Sequence, residues 1–264
     1  MANTSALSRR EVLRQQQKQE EERAKRNRRI LFAALLAVAL VVVAVLAVVI
    51  VQSMGDDQET SANQQTPPNA TAESGIMVTS QDVEPINDAP HLVLYEDYQC
   101  PACAQYEGTY GAPTIELVDS GEITLEIRTA YFLDGTLQND SSERAALAAA
   151  AADQVGKYRE YHAAVYENQP SEGAGYTDQQ LRVDFAAQAG ITGEDLTTFQ
   201  ELYDAKSFQD FVNASDKTFT DEGISGTPTY MVGDTKLEFT NDQNEVVIEP
   251  TAEDLLRAIT EANN

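Results

Sequence analysis

An uninterrupted apolar run of 22 residues, Ile30 to Val51 (ILFAALLAVALVVVAVLAVVIV), limits this chain more than any other feature. At 1.5 Å rise per residue, a helix of that length spans roughly 33 Å, enough to cross the hydrocarbon core of a bilayer. A helix buried in a soluble core would show a polar stripe, and this run has none. It is longer than the ~7–15 residues of a signal-peptide core, and no A-x-A-like cleavage site follows it. The run therefore predicts an uncleaved signal anchor. Residues 1–29 hold nine Lys and Arg against four Glu, and the first basic residue after the run is Arg128. The positive-inside rule then makes 1–29 a cytoplasmic tail and puts the rest outside.

Residues 52–78 are polar, contain Pro67-Pro68 and lack apolar periodicity, which predicts a flexible linker. Residues 79–264 form the expected folded body. From residue 52 onward the chain carries nine basic against 39 acidic side chains. A body that acidic repels phosphate backbones, so nucleic acid is not an expected partner.

The body reads as α/β. His91–Tyr95 predicts a buried strand, and Glu122–Phe132 alternates with period two as a second one. From Asp140 the apolar period lengthens to 3–4 residues. Asp140-Ser141-Ser142-Glu143 has the logic of a capping box opening a helix that runs through Val165. Three further helices are expected from Thr177, from Thr192 and around Phe208–Phe219. Thr229–Val232, a Gly233-Asp234 turn and Thr235–Leu237 predict a hairpin, Glu245–Ile248 a further extended run, and Thr251 the cap of a last helix.

The only two cysteines stand in Cys100-Pro101-Ala102-Cys103. Half a zinc site is one reading, but there is no second CxxC and His91 and His162 do not make an H-x(3–5)-H pair. Haem attachment needs a His at position 104, which is Ala. A purely structural disulfide over so short a loop would restrain the unfolded chain little. Redox use fits best. With Cys100 at a helix N-terminus, unpaired N–H groups and the helix dipole favour its thiolate, and Pro101 suits the first turn. Cys103, one turn further in, is the shielded resolving thiol. Gly226-Thr227-Pro228-Thr229 is the second site. Position alone favours an ordinary trans-Pro at a strand's first residue, with a cis Thr227–Pro228 bond as the alternative.

Tyr95-Glu96-Asp97-Tyr98-Gln99-Cys100-Pro101-Ala102-Cys103, with Gly226-Thr227-Pro228 far downstream, resembles the DsbA-like branch of the thioredoxin superfamily, in particular its membrane-anchored Gram-positive and actinobacterial forms. The resemblance covers roughly residues 77–262. It implies a thioredoxin fold interrupted by a helical insertion at about 139–222 and preceded by a single transmembrane helix. It also implies that Cys100 and Cys103 are the redox pair, supported by Pro101, Ala102 and Gly226. Pro228 is expected in cis, and Thr227 is expected to pair with substrate like an added strand. The implied activity is disulfide introduction into reduced exported proteins, without metal or organic cofactor. The implied reoxidising partner is a quinone-linked membrane oxidase of the vitamin K epoxide reductase-like type. A reductase or isomerase fed by a membrane electron donor, and a non-catalytic peptide-binding module, are the alternatives.

Two departures from that family pattern stand out. No His lies between the cysteines, and Leu94 stands six residues before Cys100, where many relatives place a carboxylate. Glu96, Asp97 and Glu107 add negative charge nearby, which disfavours a thiolate. Cys100 is therefore expected to be activated mainly by the helix terminus, and less strongly than in His-bearing relatives. His162 reads as the rim of a core, and His91 as partly exposed.

Overall fold

A computed structural model describes residues 64–80 and 82–263. The predicted tail 1–29, the predicted transmembrane segment 30–51 and the first part of the predicted linker lie outside the described residues.

The alternating segments form one five-stranded sheet in the order β1-β3-β2-β4-β5. Its strands are β1 (Ile76–Val78), β2 (His91–Glu96), β3 (Thr124–Thr129), β4 (Thr229–Val232) and β5 (Thr235–Lys236). β2 and β3 are parallel; the other pairs are antiparallel. Period-two alternation sends Leu92, Leu94, Leu125, Ile127, Tyr230 and Val232 into the main core. Val93 and Tyr95 point to the opposite face, where they meet Phe219.

A parallel β2–β3 pair needs a crossover. Here it is α1 (Pro101–Tyr106), a π-helical turn (Glu107–Gly111) and α2 (Ala112–Asp119). Pro113 lacks the N–H that would bond back to residue 109, and the π turn immediately before it absorbs that break. After β3 come α3 (Phe132–Leu137), α4 (Ser141–Gln154), α5 (Tyr158–Glu167), a second π turn (Gln180–Asp184) with α6 (Phe185–Gln188), α7 (Gly193–Asp204) and α8 (Gln209–Asp221). The last helix, α9 (Ala252–Ala262), begins at the predicted cap, where Thr251 Oγ1 accepts from Asp254 N at 3.2 Å.

Three expectations change. The helix predicted from Asp140 through Val165 is two helices, because Gly156 sits at φ +67° and turns the chain between α4 and α5. Its capping box does not form. Instead Asp134 accepts from Ser142 N and Glu143 N, both at 2.9 Å, and Asn139 Oδ1 accepts from Ser141 N at 2.9 Å. α4 has no polar face along Ala145–Ala152, all buried; it is the central helix of the insertion, and its small side chains let α5 and α7 pack closely. Finally, the described part of the predicted linker is held to the body. β1 pairs with β3, Asn69 bonds to Asp153 through its backbone N–H (2.9 Å) and side chain (2.8 Å), and Thr71 Oγ1 donates to the buried Glu126 (2.8 Å). Gly75 lies against Glu126 where a Cβ would collide with the carboxylate. The linker's low hydropathy hid these long-range partners.

Candidate active site

β2 ends at Glu96, and four residues later Cys100 becomes the N-cap of α1, with φ −73° and ψ 116°. Pro101 occupies the first turn, as the sequence requires, and is exposed. The sheet register brings the second motif alongside. Tyr95 pairs with Thr229, so the residues just before Thr229 are level with the loop just after Tyr95. The Thr227–Pro228 bond is cis, as the resemblance implied and position alone did not. Thr227 O lies 3.3 Å from Cys100 Sγ. Thr229 Oγ1 donates to Gly226 O at 2.8 Å, which closes the loop. A Cβ on Gly226 would meet nothing within 4 Å, so packing does not demand glycine there.

The two thiols are electrostatically unlike. Both are buried, Cys103 more deeply. In the thiol form Cys100 donates to the Thr227 carbonyl. In the thiolate form that carbonyl is no donor, and other groups hold the charge. The Cys103 thiol does most, and burial opposes it; Thr227 and the N–H groups of Cys103 and Ala102 add to it, bringing Cys100 down to about 6. The helix terminus therefore contributes but does not lead, contrary to the sequence expectation. Cys103 is pushed well above the ordinary thiol range by burial, by its bond to Cys100 and by the charges of Cys100 and Glu96. Of the neighbouring acids, Glu96 thus raises Cys103 by its charge.

The acids are also better accommodated than their sequence position indicated. Asp97 accepts from Gln99 N (2.9 Å), Leu133 N (3.1 Å) and Ser142 Oγ (2.6 Å); burial still raises it to about 7. Glu96 is buried and receives His162 Nε2 at 3.0 Å on each oxygen, while His162 Nδ1 lies 3.8 Å from Glu107. His162 is core, not rim: burial opposes its cation, but Glu96 and Glu107 outweigh burial and hold it at about 9.

Two residues of the insertion grip the CxxC loop, and sequence reading missed both. Gln169 Nε2 donates to Tyr98 O (2.8 Å) and Cys100 O (3.0 Å), and Tyr176 OH donates to Tyr98 O (2.7 Å). Nothing in a single Gln or Tyr in a polar loop marks such a contact beforehand. Among the described residues, no cluster of three or more His, Cys, Asp or Glu is placed to hold a metal ion.

A helix-capping cysteine pair that faces a cis-proline loop at the end of a mixed sheet defines the thioredoxin class of folds, here with a helical insertion. The family model described as thioredoxin matches residues 86–249, and the chain belongs to that family. No curated protein matches the sequence. Among solved structures, it is similar to MdbA, a thiol-disulfide oxidoreductase from Corynebacterium diphtheriae, at 24% identity over 69% of this chain and 92% of that one, with a TM-score of 0.54. MdbA of Actinomyces oris shares 22% identity over 77% of this chain and 97% of that one, with a TM-score of 0.58. For DsbA of Mycobacterium tuberculosis the values are 24%, 72%, 93% and 0.55. At such identities the likeness is one of fold.

Proposed function

We propose that this protein is a thiol–disulfide oxidoreductase that introduces disulfides into exported proteins. The observation that carries the reading is the contrast between the two thiols: one is a thiolate near neutral pH beside the cis-proline loop, the other is protonated beneath it. Stabilising the Cys100 thiolate favours the reduced enzyme and so makes the oxidised enzyme a willing electron acceptor. In the proposed reaction a client thiolate attacks Cys100 Sγ, the Cys100–Cys103 bond breaks, and the electron pair leaves on Cys103. The client's second thiolate then displaces Cys100, releasing the client disulfide and a reduced enzyme. Thr227 supplies main-chain groups for an extended client segment, next to the sulfur it must meet. Ile30–Val51 anchors the protein in membrane lipid with the tail 1–29 cytoplasmic and the catalytic body outside. A quinone-linked membrane oxidase restores the disulfide.

Trapping the redox state in cells with a thiol-specific reagent tests direction and role together. A mainly oxidised Cys100–Cys103 pair, with loss of client disulfides in Cys100→Ser, is expected. A mainly reduced pair would make the protein a reductase, and full function of Cys100→Ser would make it a binding module. A membrane-impermeant reagent that labelled Cys100 only after cell lysis would refute the location.

A further inference from the structure

A cavity of about 440 Å³ lies between the sheet, the first π turn and α5, a size typical of small-molecule sites. Its walls are mainly apolar: Leu94, Leu125, Ile127 and Tyr230 come from the sheet, Ile115 from α2 and Ala163 from α5. Cys100, Cys103 and Thr227 do not line it, so the exchange reaction does not account for it. Two ionisable side chains face it from within, Glu107 of the π turn and His162 of α5. The backbone makes room for the first. A Cβ on Gly111, which also lines the cavity, would fall 2.6 Å from Glu107 Oε1, so a side chain there would displace the carboxylate.

The charges at this wall do not cancel. His162 stands between two carboxylates, 3.0 Å from Glu96 and 3.8 Å from Glu107. Its Nε2 meets both oxygens of Glu96, whereas no hydrogen bond from the described residues reaches Glu107. One imidazolium against two carboxylates leaves an excess negative charge beside an apolar chamber. Burial raises the pKa of Glu107 above the ordinary carboxylate range, as expected of a charge short of partners. The cations at the exposed rim are already paired: Arg159 donates to both oxygens of Asp119 (2.8 and 3.0 Å), and Lys157 to Glu160 (3.0 Å).

We propose that this cavity binds an organic amine, whose ammonium head meets Glu107 and whose apolar body lies among Leu94, Leu125, Ile127, Ile115 and Tyr230. The aromatic residues on the wall, Tyr158 and Tyr230, suit a cationic head as well as an apolar body. An anion would meet the same excess negative charge. A neutral apolar molecule would fill the chamber but strip water from Glu107 without supplying a donor. A bare metal ion would leave the apolar walls unused, and no cluster of three or more ligating side chains among the described residues could hold one.

Indole probes test this directly, because the chain contains no Trp and their fluorescence stands alone. Tryptamine, 3-ethylindole and indole-3-propionate share one apolar body and carry an ammonium, no charge and a carboxylate respectively. The full-length chain in detergent is titrated into each probe and anisotropy is followed against a protein-free blank. The salt is about 0.15 M, where distant surface charges are screened. Tryptamine is expected to bind saturably and at least about tenfold more tightly than 3-ethylindole, with indole-3-propionate weakest. Glu107→Gln should weaken tryptamine about 10- to 100-fold, the worth of a charge-assisted hydrogen bond, and leave 3-ethylindole within about twofold. Ala163→Leu, which narrows the cavity from α5, should weaken both; it decides the matter together with the probe series if circular dichroism shows Glu107→Gln unfolded. Cys100→Ser should bind tryptamine like wild type, so loss of exchange activity and loss of this site are separate outcomes. Equal affinities for the three probes, a tryptamine titration that does not saturate, or wild-type tryptamine affinity in folded Glu107→Gln or Ala163→Leu would overturn the proposal.

Discussion

Replacing Cys103 by Ala probes what makes Cys100 reactive. In the native site Cys100 lies at about 6 against an ordinary 9.0, and the Cys103 thiol is the foremost of the groups that lower it. A hydrogen bond to a charged acceptor is worth about 1.5–3 kcal/mol, and 1.36 kcal/mol moves a pKa by one, so Cys100 in Cys103→Ala is expected to titrate at about 7–8. At pH 6 the thiolate fraction then drops from about one half to roughly 1–10%, and alkylation by iodoacetamide slows about 5- to 50-fold. The assay is unambiguous because the variant holds a single cysteine. Its pH–rate profile, with absorbance at 240 nm as a second readout, gives the pKa directly. Cys103→Ser, whose hydroxyl can still donate, should fall between. A Cys100 that still titrates near 6 in Cys103→Ala would refute the reasoning and return the leading role to the N–H groups of α1.

The depressed Cys100 value also predicts a pH dependence of stability. Between the folded value of about 6 and the unfolded value near 9 the unfolded chain binds more protons, so the reduced protein gains stability over Cys100→Ser as pH rises through that window. The gain, about 3–4 kcal/mol when complete, is lost again as pH falls through 6; urea titrations of both proteins at matched pH measure it. His162 works in the opposite direction, losing its contribution as pH rises through about 9, but it does so in both proteins and cancels in the difference. Gly156→Ala, which forces φ +67° on a residue with a Cβ, should cost about 1–2 kcal/mol in the same titration, although no atom lies within 4 Å of the added carbon. Asp134→Ala removes both N–H acceptors at the start of α4 and should lower stability by about 1–2 kcal/mol; a midpoint equal to wild type would mean that Asn139 suffices as the cap.

Local chemistry made much of this protein legible in its sequence. Alternation found β3, the buried apolar run of His91–Tyr95 found β2, and the Gly233-Asp234 turn marked the hairpin that holds β4. Pro101 after Cys100 marked a helix start because only the first turn tolerates a missing N–H. The cysteine spacing gave the reactive pair and its order, since only the first of the two can cap the helix. What reaches across the chain was not legible. That Cys103 rather than the helix end leads in activating Cys100, that Gln169 and Tyr176 clamp the loop, that Asp134 caps α4 and that Thr71 ties the early chain to Glu126 all depend on partners 3 to 78 residues apart. His162 shows the reason most plainly. Alone in the sequence it is a ring on a helix, and 66 residues separate it from Glu96. Only the packing of α5 against the end of β2 removes water from both, and a charge acquires its value from the dielectric and the neighbours around it, which no linear spacing encodes.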